Sequence, residues 1–149
     1  MRSQPEFGPD AQSAVGVASD EAGMLGHEYV GTEHLLLGLL RQHDGSVSAA
    51  LRRQHVDPAE LRNRIVTTVT PGRGSDTNET VRPFTSRCKA VFSEAGFEAG
   101  DQGHARIAAG DLLIGLLREK MGIGAQVLVS AGLDVQALRT ALREVESAE

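Results

Sequence analysis

The chain repeats itself at an offset of 77 residues, and this repeat constrains the possible folds more than any other feature. Residues 7–66 align with residues 84–143 without a gap, and matches occur along the whole span. A fixed offset over such a length predicts two copies of one structural unit. The matches include Phe7 with Phe84, Glu21-Ala22-Gly23 with Glu98-Ala99-Gly100, Gly26-His27 with Gly103-His104, and Gly38-Leu39-Leu40-Arg41 with Gly115-Leu116-Leu117-Arg118.

The first unit predicts four helices, and the first two have the clearest apolar faces. Pro9 suits the opening turn of a helix that ends near Gly26-His27. Thr32 is expected to cap the second helix with its hydroxyl, and Glu33 to place a carboxylate at the positive helix end. Gly45 is expected to end this helix. The apolar faces comprise Ala11, Ala14, Val15, Ala18, Ala22 and Leu25, followed by the run from Leu35 to Leu40.

The last two helices of the first unit are shorter. A third helix is predicted over about residues 47–54. The fourth begins with a strong local signal, because Asp57 is a good N-cap, Pro58 fits the first helical position and Glu60 suits a capping box. The β-branched stretch 65–70 is interpreted as the fraying end of this helix.

The second unit predicts the same four helices. Thr85 is expected to cap its first helix, residues 112–117 to form the buried helix, and residues 125–130 a short one. Asp134 is expected to cap a final helix that runs toward Val145. Residues 70–83 are rich in turn-forming and polar residues and are predicted to be a linker.

These patterns predict an all-α fold of two tandem four-helix repeats, related by pseudo-two-fold symmetry and packed as one domain. The expected boundaries are a tail at 1–6, repeat one at 7–69, the linker at 70–83 and repeat two at 84–146.

Composition excludes several classes of protein. Cys88 is the single cysteine, so no disulfide framework is possible, and a reducing compartment, the cytoplasm, is expected. No apolar stretch has the roughly 18 residues that a membrane span needs. Nucleic acid is a poor partner for a chain of net charge −5 with one Tyr, no Trp and scattered basic residues.

The histidines of the first repeat allow two interpretations. A metal site would need His27, Glu28, Glu33 and His34 to converge, with His43 or Asp44 completing it. Zinc sites favour short, fixed spacings, whereas His27 and His34 are seven residues apart across a predicted turn. His27 recurs as His104, and a histidine near a helix end also interacts favourably with the helix dipole. This structural interpretation is favoured.

No constellation of catalytic residues emerges from the sequence. Cys88 lies on an apolar helical face, which indicates a small buried side chain rather than a reactive thiolate. The segment PGRG at 71–74 is too short for a phosphate-binding loop, and no Gly-Lys-Ser/Thr follows it. We therefore expect no enzymatic activity, no cofactor and no metal.

Three segments resemble a known family. LGHEYVGTEHLLLGLLR at 25–41, its echo GHARIAAGDLLIGLLRE at 103–119 and FTSRCKAV at 84–91 are similar to the N-terminal domain of Clp-type unfoldase ATPases, most closely the ClpC branch. The resemblance extends from about Phe7 to Glu144. In that family the domain precedes two ATPase modules, which this chain lacks, so it resembles a free-standing N-domain.

The resemblance implies a protein-binding module. Family members dock adaptors and substrates, in some bacteria substrates marked by phosphoarginine, and they are targets of cyclic peptide antibiotics. The implied binding residues are Phe7, Thr32, Glu33, Phe84, Thr85, Arg87 and Lys89. A carboxylate can hold a guanidinium, and helix-start amides with a hydroxyl suit a phosphate. This chain departs from the family pattern at Gly8, Ala109 and Gly110, so a site shared by Thr85 and Glu33 could persist while the other is lost.

Each implied role has a structural alternative. Thr32 and Thr85 could simply cap helices, Glu33 could complement a helix dipole, and Phe7 and Phe84 could be hydrophobic staples. Three functions stay open from the sequence: a non-catalytic module acting as adaptor, decoy or sequestering protein; the excised docking domain of a full-length Clp ATPase; and a small metal-dependent hydrolase, which is the least favoured.

Overall fold

The computed structural model describes residues 5–42, 45–72 and 82–148 of the chain. These residues form eight α-helices and no extended strand, which confirms the all-α prediction of two four-helix repeats. The first repeat contains α1 (Pro9–Met24), α2 (Thr32–Leu40), α3 (Ser46–Arg53) and α4 (Pro58–Thr68). The second contains α5 (Ser86–Asp101), α6 (Ala109–Glu119), α7 (Ile123–Ser130) and α8 (Val135–Ala148).

Three of the predicted helix caps are confirmed. The Asp57 carboxylate accepts a hydrogen bond from the Ala59 amide at 3.0 Å, and Asp134 accepts one from the Ala137 amide at 2.8 Å. Thr85 accepts one through its hydroxyl oxygen from the third residue of α5, at 3.1 Å. Each cap satisfies a backbone donor that the first helical turn leaves without a partner.

Three predictions of helix ends are wrong. Thr32 is the first residue of α2 and Gly31 is the N-cap, so the Thr32 hydroxyl is directed elsewhere. Gly45 does not end α2, which finishes at Leu40; its extended backbone instead precedes α3 as an N-cap. Glu60 does not close a capping box, because its carboxylate pairs with Arg64 one turn later, at 3.3 Å.

The two repeats exchange backbone hydrogen bonds in a symmetric manner. The segment before α1 lies beside the loop before α6: Gly8 donates to the Ile107 carbonyl and Ile107 donates to the Glu6 carbonyl, both at 2.8 Å. The segment before α5 lies beside the loop before α2 in the same way. There Thr85 donates to the Val30 carbonyl at 2.9 Å, and Val30 donates to the Pro83 carbonyl at 2.8 Å. Each bond has its counterpart 77 residues away, so the pseudo-two-fold axis runs between the repeats.

Helices α2 and α6 form the centre of the core. Every residue of α2 is buried, and the fully buried leucines of both helices each contribute about 2 kcal/mol to stability by leaving water. Helix α1 crosses α2 so closely at Gly38 that a Cβ there would collide with the Ala14 carbonyl oxygen. At the counterpart Gly115, a Cβ would lie 2.8 Å from the Val91 carbonyl oxygen. These glycines therefore permit the two pairs of helices to pack backbone against backbone.

A buried carboxylate ties together three helices in each repeat. Glu21 in α1 is 2% exposed and holds Arg62 of α4 through two bonds of 2.8 Å, while Arg41 lies 3.3 Å away. The paired charges replace the hydration that Glu21 loses on burial. The counterparts in the second repeat are Glu98, Arg139 and Arg118.

The described ends of the predicted linker are packed against the end of α1. The Gly72 amide donates to the Leu25 carbonyl at 2.7 Å. Arg82 is 7% exposed and donates through Nε to the His27 carbonyl at 3.0 Å. Most of the predicted linker, residues 73–81, lies outside the described residues. Among the helices of the described segments, none has the length and apolar character to span a bilayer.

Candidate ligand-binding cleft

The N-terminal turns of three helices surround one cleft. The starts of α2, α5 and α7 line an opening of about 330 Å³, which brings the first repeat together with the second. Helix starts expose amide donors and carry a partial positive charge, so this arrangement favours an anionic group. The cleft contains four of the residues implied by the resemblance, Thr32, Glu33, Thr85 and Arg87, together with Tyr29 and Met121.

Two threonine hydroxyls lie at the cleft, and each makes a different hydrogen bond within the protein. Thr85 caps α5, whereas Thr32 accepts a hydrogen bond from the Gly124 amide of the other repeat at 3.1 Å. A Cβ at Gly122, the N-cap residue of α7, would collide with the Thr32 side chain, so this glycine makes room for it. Because each hydroxyl oxygen acts as an acceptor in the protein, its hydrogen stays available as a donor to a ligand.

Glu33 is a mostly buried residue whose carboxylate makes no hydrogen bond or ion pair among the described residues. The residue is 6% exposed, and its carboxylate folds back over Gly31, where a Cβ would collide with it. Its charge acts on its neighbours: burial, followed by repulsion from Glu33, raises the pKa of Tyr29 above its usual value. No buried side-chain oxygen or nitrogen among the described residues lacks a hydrogen-bond partner, so the Glu33 carboxylate oxygens reach the solvent of the cleft, where a ligand could contact them. Glu33 is therefore the strongest functional candidate in the cleft.

The cysteine beneath the cleft is not a nucleophile. Cys88 is fully buried in the core, and burial, followed by repulsion from Glu33, raises the pKa of its thiol to about 12. The side chain is therefore protonated near neutral pH and packs as a small apolar group, as predicted.

Arg87 supplies a positive charge at the edge of the cleft. Its guanidinium lies 3.3 Å from the Glu119 carboxylate and remains half exposed. Glu119 also accepts hydrogen bonds from the Gly122 amide at 2.7 Å and the Met121 amide at 3.2 Å. One carboxylate thus holds the turn that precedes α7 and pairs with Arg87. Glu119 was not among the predicted site residues, although its place three positions before the N-cap glycine of a short helix was the available signal.

The aromatic residues of the predicted site lie apart from its charged residues. Phe7 and Phe84 both pack edge-to-face on Phe92, with ring centroids 5.2 and 5.0 Å apart. They are not hydrophobic staples, because the residues at the staple positions are Gln12 and Lys89, which are polar. Phe7 borders a second groove of about 460 Å³ with Phe92. Lys89 is exposed on α5 and does not line the charged cleft.

The two histidines of the first repeat form a hydrogen-bonded chain beside the cleft. The Gly31 amide donates to His34 Nδ1 at 2.9 Å, His34 Nε2 lies 2.7 Å from His27 Nδ1, and His27 Nε2 lies 2.8 Å from the Thr70 carbonyl oxygen. The His27 ring also stacks on Tyr29, with centroids 5.3 Å apart. The His27 ring is therefore held by hydrogen bonds to a side chain and to the backbone, which the sequence did not predict. Burial, followed by the electrostatic effects of His27 and Arg82, lowers the pKa of His34 to about 4.

The second repeat contains the same arrangement with a different chemical pair. His104 Nδ1 lies 2.9 Å from the Asp111 carboxylate, which also accepts the Ala108 amide at 2.9 Å. Asp111 thus takes the place of His34 at the start of the central helix.

The histidine arrangement does not support a metal centre. All four ring nitrogens of His27 and His34 are engaged in hydrogen bonds, and Glu33 does not join them. Within residues 5–42, 45–72 and 82–148, no three His, Cys, Asp or Glu side chains come together in a way that could hold a metal ion. His43 and Asp44, which the metal hypothesis also invoked, lie outside the described residues.

The comparison with known families decides the identity of the fold. A profile of the Clp repeat (R) N-terminal domain matches residues 6–131 and 84–148 of the chain. The chain belongs to this family. The two matches overlap over residues 84–131.

Curated relatives and a solved structure agree with this assignment. The Clp N-domain described here is 33% identical over 133 residues to the negative regulator of genetic competence ClpC/MecB of Bacillus subtilis, covering 89% of this chain and 16% of that protein. It is 37% identical over 134 residues to the chloroplastic chaperone protein ClpC1 of Oryza sativa subsp. japonica, covering 90% of this chain and 14% of that protein. The chain therefore spans about a sixth or less of the length of these relatives.

The solved structure is a complex of the ClpV N-domain with a VipB peptide. It superposes with a TM-score of 0.74 at 18% identity and covers 95% of this chain and 88% of that chain. At this identity the likeness establishes the fold alone.

Proposed function

We propose that this Clp N-domain is a non-catalytic docking module that binds peptide segments of proteins through the cleft at the starts of α2, α5 and α7. The observation that carries the proposal is Glu33, whose carboxylate makes no hydrogen bond or ion pair among the described residues and lines a cleft that contains helix-start amides. The ClpV N-domain, which shares the fold, forms a complex with a VipB peptide, and this supports a peptide as the class of ligand.

Within this proposal, phosphoarginine is the chemical group that the cleft suits best. The Glu33 carboxylate would hold the guanidinium through charge-assisted hydrogen bonds. The phosphate would bind at the helix starts, with the Thr85 hydroxyl as a donor and Arg87 as a counter-charge. Clients would then be proteins that carry this modification, or adaptors that present a similar pair of charges. Both ligand charges would meet a group of opposite sign in one cleft.

Calorimetric titration tests the phosphoarginine proposal. We expect free phosphoarginine to bind the wild-type domain and to lose at least tenfold in affinity with Glu33→Gln, because the neutral amide no longer attracts the guanidinium. Glu28→Gln is the matched control, since Glu28 lies exposed five residues earlier and makes no hydrogen bond or ion pair among the described residues. Equal binding by wild type and Glu33→Gln, or no heat with either, would rule out this use of the cleft.

The cellular role follows from what the domain retains besides its client. An adaptor would hold a client and a Clp ATPase together, whereas a decoy or sequestering protein would hold the client alone. Pull-down from a bacterial lysate, followed by identification of the bound proteins, separates these roles. The proposed cleft serves equally in a separate protein and in the N-terminal part of a longer Clp ATPase.

A second candidate ligand is an apolar cyclic peptide of the antibiotic type. The groove beside Phe7 and Phe92 supports it, because half-buried aromatic rings at the junction of the two repeats offer apolar surface to a ligand. We expect Phe92→Ala to weaken binding of such a peptide without changing the affinity for phosphoarginine. Loss of both affinities together would indicate that the substitution disturbs the fold instead.

A further inference from the structure

The pseudo-two-fold axis relates the Glu33 cleft to a second position, at the starts of α6, α1 and α3. Two-fold symmetry by itself would give the domain a second cleft of the same kind. The residues that line the two positions differ, however, in every group that could bind a ligand. Thr32, Glu33, Thr85 and Arg87 of the cleft correspond to Ala109, Gly110, Gly8 and Asp10.

Asp10 fills the part of the second position where an anion would bind. The Ala109 amide, at the start of α6, donates to the Asp10 Oδ1 atom at 3.1 Å. This bond joins residues of different repeats and supplies a negative charge to the positive end of α6. In the Glu33 cleft the counterpart of Asp10 is Arg87, which Glu119 holds, so the Thr32 amide has no such carboxylate among the described residues.

The cation-binding part of the second position also differs from that of the cleft. Gly110 takes the place of Glu33, so this position lacks the carboxylate that Glu33 supplies to the cleft. Leu142 of α8 lies over this glycine, and a Cβ at position 110 would lie 2.9 Å from its Cδ2 atom. The space that a ligand's positive group would need is thus next to an apolar side chain.

We propose that Asp10 is a permanent internal occupant of the second position, so that each chain binds one charged ligand group, at the Glu33 cleft. The inference rests on the proposed function of that cleft for its ligand. It also locates the ligand's anion: by the symmetry that relates Ala109 to Thr32, the anion lies against the Thr32 amide. A partner with two such groups would then bridge two chains instead of binding twice to one, and would gain no avidity from a single domain.

Residue-specific NMR tests the inference with inorganic phosphate as the probe. In the ¹⁵N-labelled full chain, phosphate should shift the Thr32 amide signal and leave the Ala109 signal in place, because Asp10 already occupies that amide. In Asp10→Ala both signals should shift. Asp10 is exposed and the substitution removes one side-chain hydrogen bond, so the core is retained. Asp20→Ala is the matched control on the same helix, where Asp20 is also exposed, and should behave as wild type.

The two parts of the result are separable. A shift of the Ala109 signal in the wild type as large as that of Thr32, or no shift of Ala109 in Asp10→Ala, overturns the occupancy by Asp10. If phosphate does not shift the Thr32 signal in any variant, the result counts against the proposed cleft. The Ala109 signals of wild type and Asp10→Ala still decide the role of Asp10. Asp10→Asn provides a further check, since its Oδ1 can keep the bond and its Ala109 signal should not respond.

Discussion

The Nε2 atom of His34 lies 2.7 Å from the Nδ1 atom of His27, and only one placement of protons satisfies both rings. The Gly31 amide donates to His34 Nδ1, so His34 must carry its proton on Nε2 and donate to His27. His27 must then carry its proton on Nε2 and donate to the Thr70 carbonyl oxygen. This series of hydrogen bonds requires one proton on each ring, and an added proton on either ring would place two donors opposite each other.

Acid should therefore destabilise the first repeat through His34. The folded pKa is lowered from 6.5 to about 4, so the unfolded chain takes up a proton first. The stability contributed by neutral His34 is present above pH 6.5 and is lost as the pH falls toward 4. Between about pH 7.5 and pH 5 we expect a loss of about 2 kcal/mol.

Urea unfolding at the two pH values measures this loss, with His34→Asn as the control for other titrating groups. Asparagine cannot titrate, but its Oδ1 can accept the Gly31 amide as Asp111 accepts the Ala108 amide. The variant should be less stable at neutral pH and should lose less stability on acidification. An equal loss in both proteins would contradict the assigned role of His34.

The second repeat should respond to pH in the opposite direction. Partial burial lowers the pKa of His104, but the hydrogen bond and charge of Asp111, aided by Glu146 and Glu98, outweigh it and raise that pKa above its usual value. A raised folded pKa means that the stabilisation is present below pH 6.5 and is lost as the pH rises through the folded value. His104→Gln should therefore cost more stability at pH 6 than at pH 8.5, as measured by urea unfolding. A cost independent of pH would indicate that the charge of His104 does not matter.

Glu98 should be the most sensitive carboxylate of the second repeat. It is 1% exposed and bonds to Arg139 at 2.7 and 2.8 Å and to Arg118 at 3.1 Å. Glu98→Gln should lower the free energy of unfolding by about 2 to 3 kcal/mol, because a neutral amide cannot serve two guanidinium groups.

Glu94→Gln is the matched control, because Glu94 lies on the same helix and faces Arg118 at 3.4 Å but is 27% exposed. Partly exposed ion pairs contribute little, so we expect a change under about 1 kcal/mol. Chemical denaturation of both variants checks the contrast. If Glu94→Gln were the more damaging change, the buried triad would not be what joins the three helices.

Two glycine-to-alanine substitutions should have opposite effects on stability. At Gly38 a Cβ would collide with the Ala14 carbonyl oxygen, which cannot move without shifting α1, so we expect a loss of about 2 to 3 kcal/mol. At Gly16, also within a helix, nothing lies within 4 Å of the added Cβ, and alanine should stabilise by about 0.5 to 1 kcal/mol. Thermal unfolding of both variants provides the measurement. A tolerated Gly38→Ala would mean that α1 and α2 do not pack as closely as described.

Local chemistry explains how much of the fold can be predicted from the sequence. The repeat, the apolar periodicity of α2 and α6, and the caps Asp57, Thr85 and Asp134 depend on neighbours within a few residues, so they are visible in a linear chain. The start of α2 cannot be predicted in this way, because the Thr32 hydroxyl accepts a hydrogen bond from the Gly124 amide, 92 residues away. A local rule cannot weigh a hydrogen bond that forms only after the repeats pack.

The sequence by itself determined the helices, the two-fold relationship between the repeats and the family to which the chain belongs, since all of these are carried by periodic or matched residues. Tertiary structure alone decided that Glu33, Thr85 and Arg87 share a cleft, that Glu119 holds Arg87, and that Asp10 reaches the start of α6. The physical reason is that each of these contacts crosses between helices or between repeats, where distance along the chain carries no information about distance in space.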